Sequence, residues 1–224
     1  MNFGRLDIIP TPIGNLKDMT ERAIEVLKSA DLILAEDTHT TGNLLRHFSI
    51  DRPLRAFHLH NEHRAVNAIV EQIKSGMNYA LCSDAGTPAI SDPGFLLVRA
   101  CVEAGVDVGC LPGATAFVPA LVVSGLPCDR FVFEGFLPHK KGRQKRLQML
   151  LEDERTTVLY ESPHRIIKLL NELVKYDCSE RKVALCRELS KLHEEIFRGT
   201  VIEAISHFDE KAPRGEFVVV IEGI

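Results

Sequence analysis

The sequence predicts an α/β protein with a mainly parallel sheet in its N-terminal half and a mixed sheet in its C-terminal half. Two observations carry this expectation. From Arg5 to Leu111, short apolar runs alternate with amphipathic stretches, and buried strands joined by crossover helices imply parallel pairing. After Phe131 the strands crowd together towards the end of the chain, which suits a mixed sheet. The composition agrees. Of 224 residues, 45% are apolar and 26% charged, which excludes a disordered, collagen-like or low-complexity chain.

In chain order, Arg5–Pro10 (RLDIIP) reads as a buried strand. In Thr20–Ala30 the apolar residues 23, 24, 26 and 27 follow a helical period, with Thr20 as N-cap. Asp31–Glu36 is the next strand, Thr41–Phe48 a short helix and Leu54–His58 a weaker strand. Glu62–Ser75 is a helix ended by Gly76. A strand at Asn78–Ser83, a helix at Phe95–Ala104 and a strand at Val106–Leu111 complete this half. The second half holds a strand at Phe131–Glu134, a basic helix at Gly142–Leu151, a strand at Thr156–Glu161 and a helix opened by proline at Pro163–Tyr176. Strands at Lys182–Arg187 and Glu194–Arg198, a helix at Thr200–Phe208 and a strand at Glu216–Glu222 follow. The Gly/Pro cluster at Ser124–Asp129 sets the expected boundary between domains 1–124 and 125–224.

The net charge is −4, from 27 Lys or Arg against 31 Asp or Glu, which argues against a protein that coats nucleic acid or membrane by bulk charge. The total conceals a local patch. Residues 1–112 hold 10 cations against 14 anions and residues 113–224 hold 17 against 17, with five cations packed into His139–Arg146 (HKKGRQKR). Such a run suits phosphate contact, and an exposed helix start explains it equally well. The N-terminus has no basic flank leading into a long apolar run, and no stretch approaches 18 uncharged apolar residues, so no signal peptide and no membrane span are expected. The six cysteines have no CxxC spacing and are expected to be reduced core residues of a cytoplasmic protein.

Four loops after strands are rich in Gly, Pro and small polar residues: Pro10–Asn15, Ser83–Gly94 (SDAGTPAISDPG), Pro112–Ala116 and Ala212–Glu216. One such loop is usually a turn. Four of them suggest a built pocket, because ligands of open α/β sheets bind at the carboxyl ends of strands. No GxxxxGK[ST], GxGxxG or GxSxG motif is present, which disfavours a P-loop ATPase, a Rossmann dinucleotide site and an α/β-hydrolase. Glu36 and Asp37 end the second strand, and His58, His60, Asn61, Glu62 and His63 follow the third. No metal is expected there, since no carboxylate spacing completes a ligand set. A polar wall facing substrate is the preferred reading, with Asn61 as a helix cap the plain alternative. Arg165 (YESPHR) and Arg187 (CRELSK) could reach a phosphate or simply pair with Glu161 and Glu188.

The segments IIPTPIGNLKDMT, LILAEDTHTT, FHLHNE, LCSDAGTPAISDPG, LPGATA, FEGFLPHKKGR, VLYESPHR, CRELSKLHEE and APRGEFVVVIEG together resemble the small-subunit (16S) ribosomal RNA cytidine 2′-O-methyltransferases, a family of the tetrapyrrole methylase superfamily. The likeness runs from about Asp7 to Gly223, and SDAGTPAISDPG with YESPHR is its most specific part. It implies two α/β domains of the class III methyltransferase type, with S-adenosylmethionine in the cleft between them, and a homodimer. It assigns Pro12, Gly86, Thr87, Pro88 and Ile90 to the methionine side of the cofactor. Ala114, Thr115 and Ala116 are assigned to further cofactor contacts, and Tyr160, Leu189 and the turn of Arg214, Gly215 and Glu216 to the adenine or ribose. Glu36, Asp37, His60, Asn61 and Glu62 would face the RNA, and Lys140, Lys141, Arg143, Arg165 and Arg187 would hold its phosphates. His39 and His139 stand where the family usually has Arg, which replaces a fixed charge by a titratable one. Members of the family also continue into a small C-terminal helical module, which this chain, ending at Ile224, is expected to lack.

Methyl transfer from a sulfonium to an oxygen is an in-line displacement that needs alignment at about 3–3.5 Å and a proton acceptor for the weakly nucleophilic hydroxyl. Asp37 is the first candidate for the acceptor and Asp84 and Glu134 the next, while the plain reading of Asp37 is an N-cap. The competing functions are a C-methyltransferase acting on a tetrapyrrole precursor and a non-catalytic RNA-binding relative.

Overall fold

Five short apolar runs of the N-terminal half become strands: β1 (Arg5–Ile9), β2 (Leu32–Ala35), β3 (Leu54–Ala56), β4 (Tyr79–Cys82) and β5 (Asp107–Cys110). The computed structural model describes residues 3–210 and 212–224. The strands pair in the order β3-β2-β4-β1-β5, every pair parallel. Both faces of this sheet are covered, which is why β2 and β4 are apolar at every position. Leu6, Ile8, Leu34 and Leu81 pack with Ile69, Ile73, Leu97 and Cys101 of α3 (Glu62–Lys74) and α4 (Phe95–Glu103). On the other face, Ile9, Ile33, Ala80 and Cys82 pack with Ala23, Leu27 and Leu45 of α1 (Glu21–Ser29) and α2 (Thr38–His47).

This topology opens the site. The chain leaves β1 and β2 for helices on one face, but leaves β4, which lies between them, for α4 on the other face. The loops diverge, and space is left over the carboxyl end of β4. Thr20 caps α1 as expected, accepting the Ala23 N–H at 3.1 Å. Helix α2 begins at Thr38 rather than Thr41, because Asp37 takes the cap position and accepts the His39 N–H at 2.7 Å.

The compact units of the chain are Met1–Thr115 and Ala116–Ile224, so they divide ahead of the Ser124–Asp129 turn cluster. The cause is α5 (Phe117–Ser124), a helix that the sequence reading leaves without an element. Its run FVPALVVS is apolar throughout and so shows no helical period, and Pro119 is tolerated because it lies in the first turn. The helix packs on the second sheet, where Arg198 donates to the Val123 carbonyl at 2.6 Å. That sheet contains β6 (Phe131–Phe136), β7 (Thr156–Glu161), β8 (Lys182–Arg187), β9 (Glu195–Thr200) and β10 (Phe217–Ile221), in the order β6-β7-β10-β8-β9. Only β6 and β7 run parallel, and a register shift between Phe133 and Gly135 marks a bulge at Glu134.

Helices α6 (Arg143–Leu151), α7 (Ile166–Lys175) and α8 (Val201–Glu210) bury Leu147, Leu169, Leu173 and Ala204 on the face opposite α5. Helix α7 starts later than its proline suggests, because residues 162–165 form a turn closed by Arg165 and Ile166 N–H bonds to the Ser162 carbonyl. Among the cysteines, Cys82, Cys101, Cys178 and Cys186 are buried free thiols. Cys110 and Cys128 are exposed, which corrects the expectation of six core cysteines.

Three elements of this unit are tied by one ion-pair group. The Arg143 side chain is 2% exposed; its Nη2 lies 3.2 Å from Glu161 Oε2 and its Nε 2.9 Å from Glu172 Oε2. Arg165 Nε reaches the other Glu161 oxygen at 2.8 Å. Arg143 is therefore an internal tie between α6, β7 and α7 and does not offer its charge to an RNA phosphate. Removing one partner of such a group leaves a charge buried without compensation, at a cost of about 3–5 kcal/mol. Urea titration of Arg143→Ala should show a loss of that size, whereas Lys141→Ala at an exposed position should stay within about 0.5 kcal/mol.

Candidate active site

At the carboxyl edge of the first sheet three loops are spliced through their main chains. Thr11 and Gly86 exchange two backbone hydrogen bonds, each 2.9 Å long. The Thr11 hydroxyl donates to the Ser83 carbonyl at 3.1 Å, and the Thr87 hydroxyl donates to the Ala114 carbonyl at 3.1 Å. The splice follows from the strand order, because β1 sits between β4 and β5 and the three loops emerge side by side. Close approach needs residues without bulk: a Cβ on Gly113 would lie 2.6 Å from Pro10 Cβ. The SDAGTPAISDPG loop is also strained. Ala89 and Ser91 hold φ of 68° and 70°, at a cost of about 1–3 kcal/mol each, and such strain gathers at functional loops.

The second unit has a loop cluster of its own at one end of its sheet. Because β10 runs antiparallel to β7 and β8, its first residues meet the last residues of both. Tyr160, Leu189, Gly215 and Glu216 therefore belong to one edge. Glu188 and Glu216 are joined twice. The Glu188 N–H donates to the Glu216 carbonyl, and Glu188 Oε1 accepts the Glu216 N–H, both at 3.0 Å. That second bond is the main reason the Glu188 carboxyl is held below its ordinary pKa. A side chain at Gly215 would strike Glu188, and Glu188 and Ser190 hold φ of 53° and 67°. Tyr160 meets Phe133 edge-on and Phe136 at a tilt, with ring centroids 5.2 and 5.4 Å away.

Small-residue loops bound main chain to main chain suit a ligand that is part zwitterion and part apolar, and S-adenosylmethionine is such a molecule. The residues present fit it by the chemistry of the cradle.

The comparisons with known proteins agree in scope. The model of the Tetrapyrrole (Corrin/Porphyrin) Methylases matches residues 5–205. The chain belongs to the tetrapyrrole methylase family. Among curated relatives of this methylase, a ribosomal RNA small subunit methyltransferase I of Synechocystis is 52% identical over 222 residues, covering 99% of this chain and 80% of that protein. The protein of that name from Thermotoga maritima is 46% identical, covering 99% of both chains. A solved uroporphyrin-III-C-methyltransferase from Thermus thermophilus superposes with a TM-score of 0.68 at 22% identity, covering 97% of this chain and 94% of that one. At that identity it establishes the fold alone.

In this methylase the three carboxylates considered as proton acceptors have different surroundings. Asp37 caps α2: its Oδ1 accepts the His39 N–H, and its Oδ2 accepts the Thr40 hydroxyl at 3.4 Å. Asp84 accepts the Asp37 N–H at 3.2 Å, and its own N–H donates to Glu36 at 3.4 Å. Glu134 is clamped by Arg146 through two bonds of 2.6 Å. Burial pushes the Glu36 and Asp84 carboxyls above their ordinary pKa. Asp92, which the sequence reading passed over, is pushed up to about 7 by burial and then by the charges of Glu36 and Asp84. Its only sequence signal is its place inside the SDAGTPAISDPG loop.

Two residues expected to face RNA have structural work. Asn61 stands at the N-cap position of α3 but makes no side-chain cap bond; its amide accepts the His58 N–H at 2.8 Å and donates to the Ala56 carbonyl at 3.0 Å. Glu62 is buried and accepts the Gly94 N–H at 3.4 Å. His60 remains exposed. Arg187 is held by Glu195 at 2.8 Å, whereas Lys140 and Lys141 are exposed with no ion pair among the described residues. Arg165 keeps one buried nitrogen, Nη1, without a partner.

The Asp92 carboxyl fixes a sign for stability. Its folded pKa of about 7 exceeds the ordinary 3.8, so the stability it contributes is complete below pH 3.8 and is lost as pH rises through 7. Asp92→Asn should therefore raise the melting temperature at pH 8 relative to the parent, with the gain fading towards pH 4, as calorimetry across that range will show.

Proposed function

We propose that this chain is an S-adenosylmethionine-dependent methyltransferase that methylates the ribose 2′-hydroxyl of a cytidine in small-subunit ribosomal RNA. The observation that carries the reading is the near full-length identity to proteins named ribosomal RNA small subunit methyltransferase I, together with a spliced loop edge that has no phosphate-cradle motif. When bound, S-adenosylmethionine supplies a methyl group on a positively charged sulfur. The residues assigned to holding it are Pro12, Gly86, Thr87, Pro88, Ile90, Ala114 and Thr115 of the first unit, and Ala116, Tyr160, Leu189, Gly215 and Glu216 of the second.

Asp84 is the proton acceptor in this reading. Asp37 has its carboxylate committed to the α2 cap and Glu134 to Arg146, whereas Asp84 takes one N–H and sits where burial keeps its affinity for a proton high. The backbone of Asp37 orients Asp84, so the two act in sequence rather than as rivals. A hydroxyl brought next to Asp84 Oδ2 gives up its proton as the oxygen attacks. Lys140 and Lys141 contact phosphates from the exposed turn ahead of α6. A homodimer and a cytoplasmic setting belong to the same proposal. Among the described residues, no helix is long and apolar enough to cross a membrane.

Tritium-labelled S-adenosylmethionine should label small ribosomal subunits and leave tetrapyrrole precursors unlabelled; label on the tetrapyrrole alone would reverse the assignment. Asp84→Asn should lower kcat by about 10²–10⁴-fold, the range of a general base, with cofactor affinity retained by calorimetry. Replacing Lys140 and Lys141 by Ala should flatten the salt dependence of RNA binding by roughly one unit of slope per lysine that meets a phosphate.

A further inference from the structure

We propose that the groove between α2 and the sheet-edge strand β3 holds one nucleotide of the substrate RNA beside the target, with its phosphate between the Arg46 and Arg52 guanidiniums and its base in the gap that Gly42 leaves. The proposal rests on the RNA methyltransferase reading above and deepens it by naming a surface for the strand next to the reacting ribose.

The groove is built where α2 ends. The Ser49 and Ile50 N–H groups close the helix on the Arg46 and Leu45 carbonyls, at 3.1 and 2.9 Å, and Ser49 holds a φ of 53°. The chain doubles back, and Asp51 and Arg52 join Arg46 in one groove before β3 begins at Leu54. Strand β3 ends the sheet order, so among the described residues no further strand covers this margin. The groove measures about 320 Å³, and its walls include His39, Gly42, Arg46, Asp51, Arg52 and Leu54. The four polar side chains are exposed and Gly42 and Leu54 half-buried, so a ligand reaches all six. Ligand sites start at about 300 Å³.

The chemistry of these walls suits a nucleotide. The helix itself sets the Arg46 guanidinium: Nε donates to the Gly42 carbonyl at 3.3 Å and Nη2 to Asn43 Oδ1. That leaves Nη1 for an anion and a planar face for a base. Neither Arg46 nor Arg52 has an ion pair among the described residues, although Asp51 shares the groove. The Asp51 carboxylate is equally unpaired there and can accept the amino group of a base. His39 adds a ring N–H.

Gly42 is an independent sign. Glycine inside a helix is less stable than alanine. Gly42 has no positive φ to require it, and a Cβ there would meet only Leu54 Cδ2, at an ordinary 3.8 Å. Stability alone would fill the position, and leaving it bare widens the groove. Placement agrees. Asp37 caps α2 and its N–H steadies Asp84. A helix rises about 1.5 Å per residue, which puts Arg46 roughly 14 Å along the axis from that cap. A few nucleotides of extended RNA span this distance.

The test uses the full chain and a fluorescent single-stranded oligocytidylate. The double variant Arg46→Ala/Arg52→Ala should bind it about tenfold more weakly and lose roughly 0.7 of a unit of salt slope, the share of one phosphate. Arg22→Ala/Lys28→Ala, which removes the same charge from exposed positions of α1, should keep the parent slope. Gly42→Leu fills the gap and leaves every charge in place. It should melt no lower than the parent, bind S-adenosylmethionine unchanged and bind the oligonucleotide about fivefold or more weakly, the low end of losing one stacked base. For the arginine and Gly42 variants alike, KM for small subunits should rise while kcat holds. Equal losses in the α1 control and the arginine variant, parent affinity in Gly42→Leu, or displacement of the oligonucleotide by an equal concentration of inorganic phosphate would each overturn the proposal. Failure of the parent to label small subunits would remove the methyltransferase reading instead, and the oligonucleotide titrations would still decide the groove.

Discussion

The paired backbone hydrogen bonds between Thr11 and Gly86 are the constraint on which the first unit's edge depends. They lock the loop after β1 to the loop after β4, and Thr87 then reaches the loop after β5. Three segments far apart in sequence become one surface of main chain and small side chains. The arrangement requires Gly86 to hold a φ of 82° and asks Ala89 and Ser91 to hold similar values. Rigidity at this edge suits the proposed methyl transfer, because displacement at carbon is sensitive to the placement of the attacking atom, and a misplacement of about 1 Å is costly.

Beside that splice lies a carboxyl group of mixed duties. Asp37 caps a helix, its N–H steadies Asp84, and the Asp84 N–H meets Glu36. The chain of contacts ties helix start, loop and strand end to one another. It also explains why acidic residues can gather at one edge: Asp37 serves the helix cap, Asp84 is held by the Asp37 N–H, and Glu36 meets the Asp84 N–H. Cations lie elsewhere, in the exposed turn ahead of α6 and along α2.

Much of the fold was legible in the sequence, because strands buried on both faces read as unbroken apolar runs and the helices between them carry a clear period. The strand at Thr156–Glu161 and the helix following Thr20 fall where the pattern puts them. Helix α5 was not legible, since a helix without a polar face has no period to detect. In the candidate site, the loops announced themselves through Gly and Pro, but the fate of charges did not. Arg143 sits in a run that reads as an exposed basic patch, and only the register of α6 against Glu161 and Glu172 shows that it points inward.

The parallel order β3-β2-β4-β1-β5 bears on how the chain is made. An interior strand, β1, is synthesised first, yet both of its neighbours, β4 and β5, emerge only at Tyr79–Cys82 and Asp107–Cys110. Until then Leu6, Ile8 and Ile9 have no pairing partner from their own sheet. Non-local pairing of this kind is slow, and unpaired apolar edges invite association in the interval. The second sheet is less exposed in this way, because β8 and β9 are neighbours in sequence and pair across a short connection. The unit that carries the spliced loops is thus the one whose nascent chain most needs protection on the ribosome.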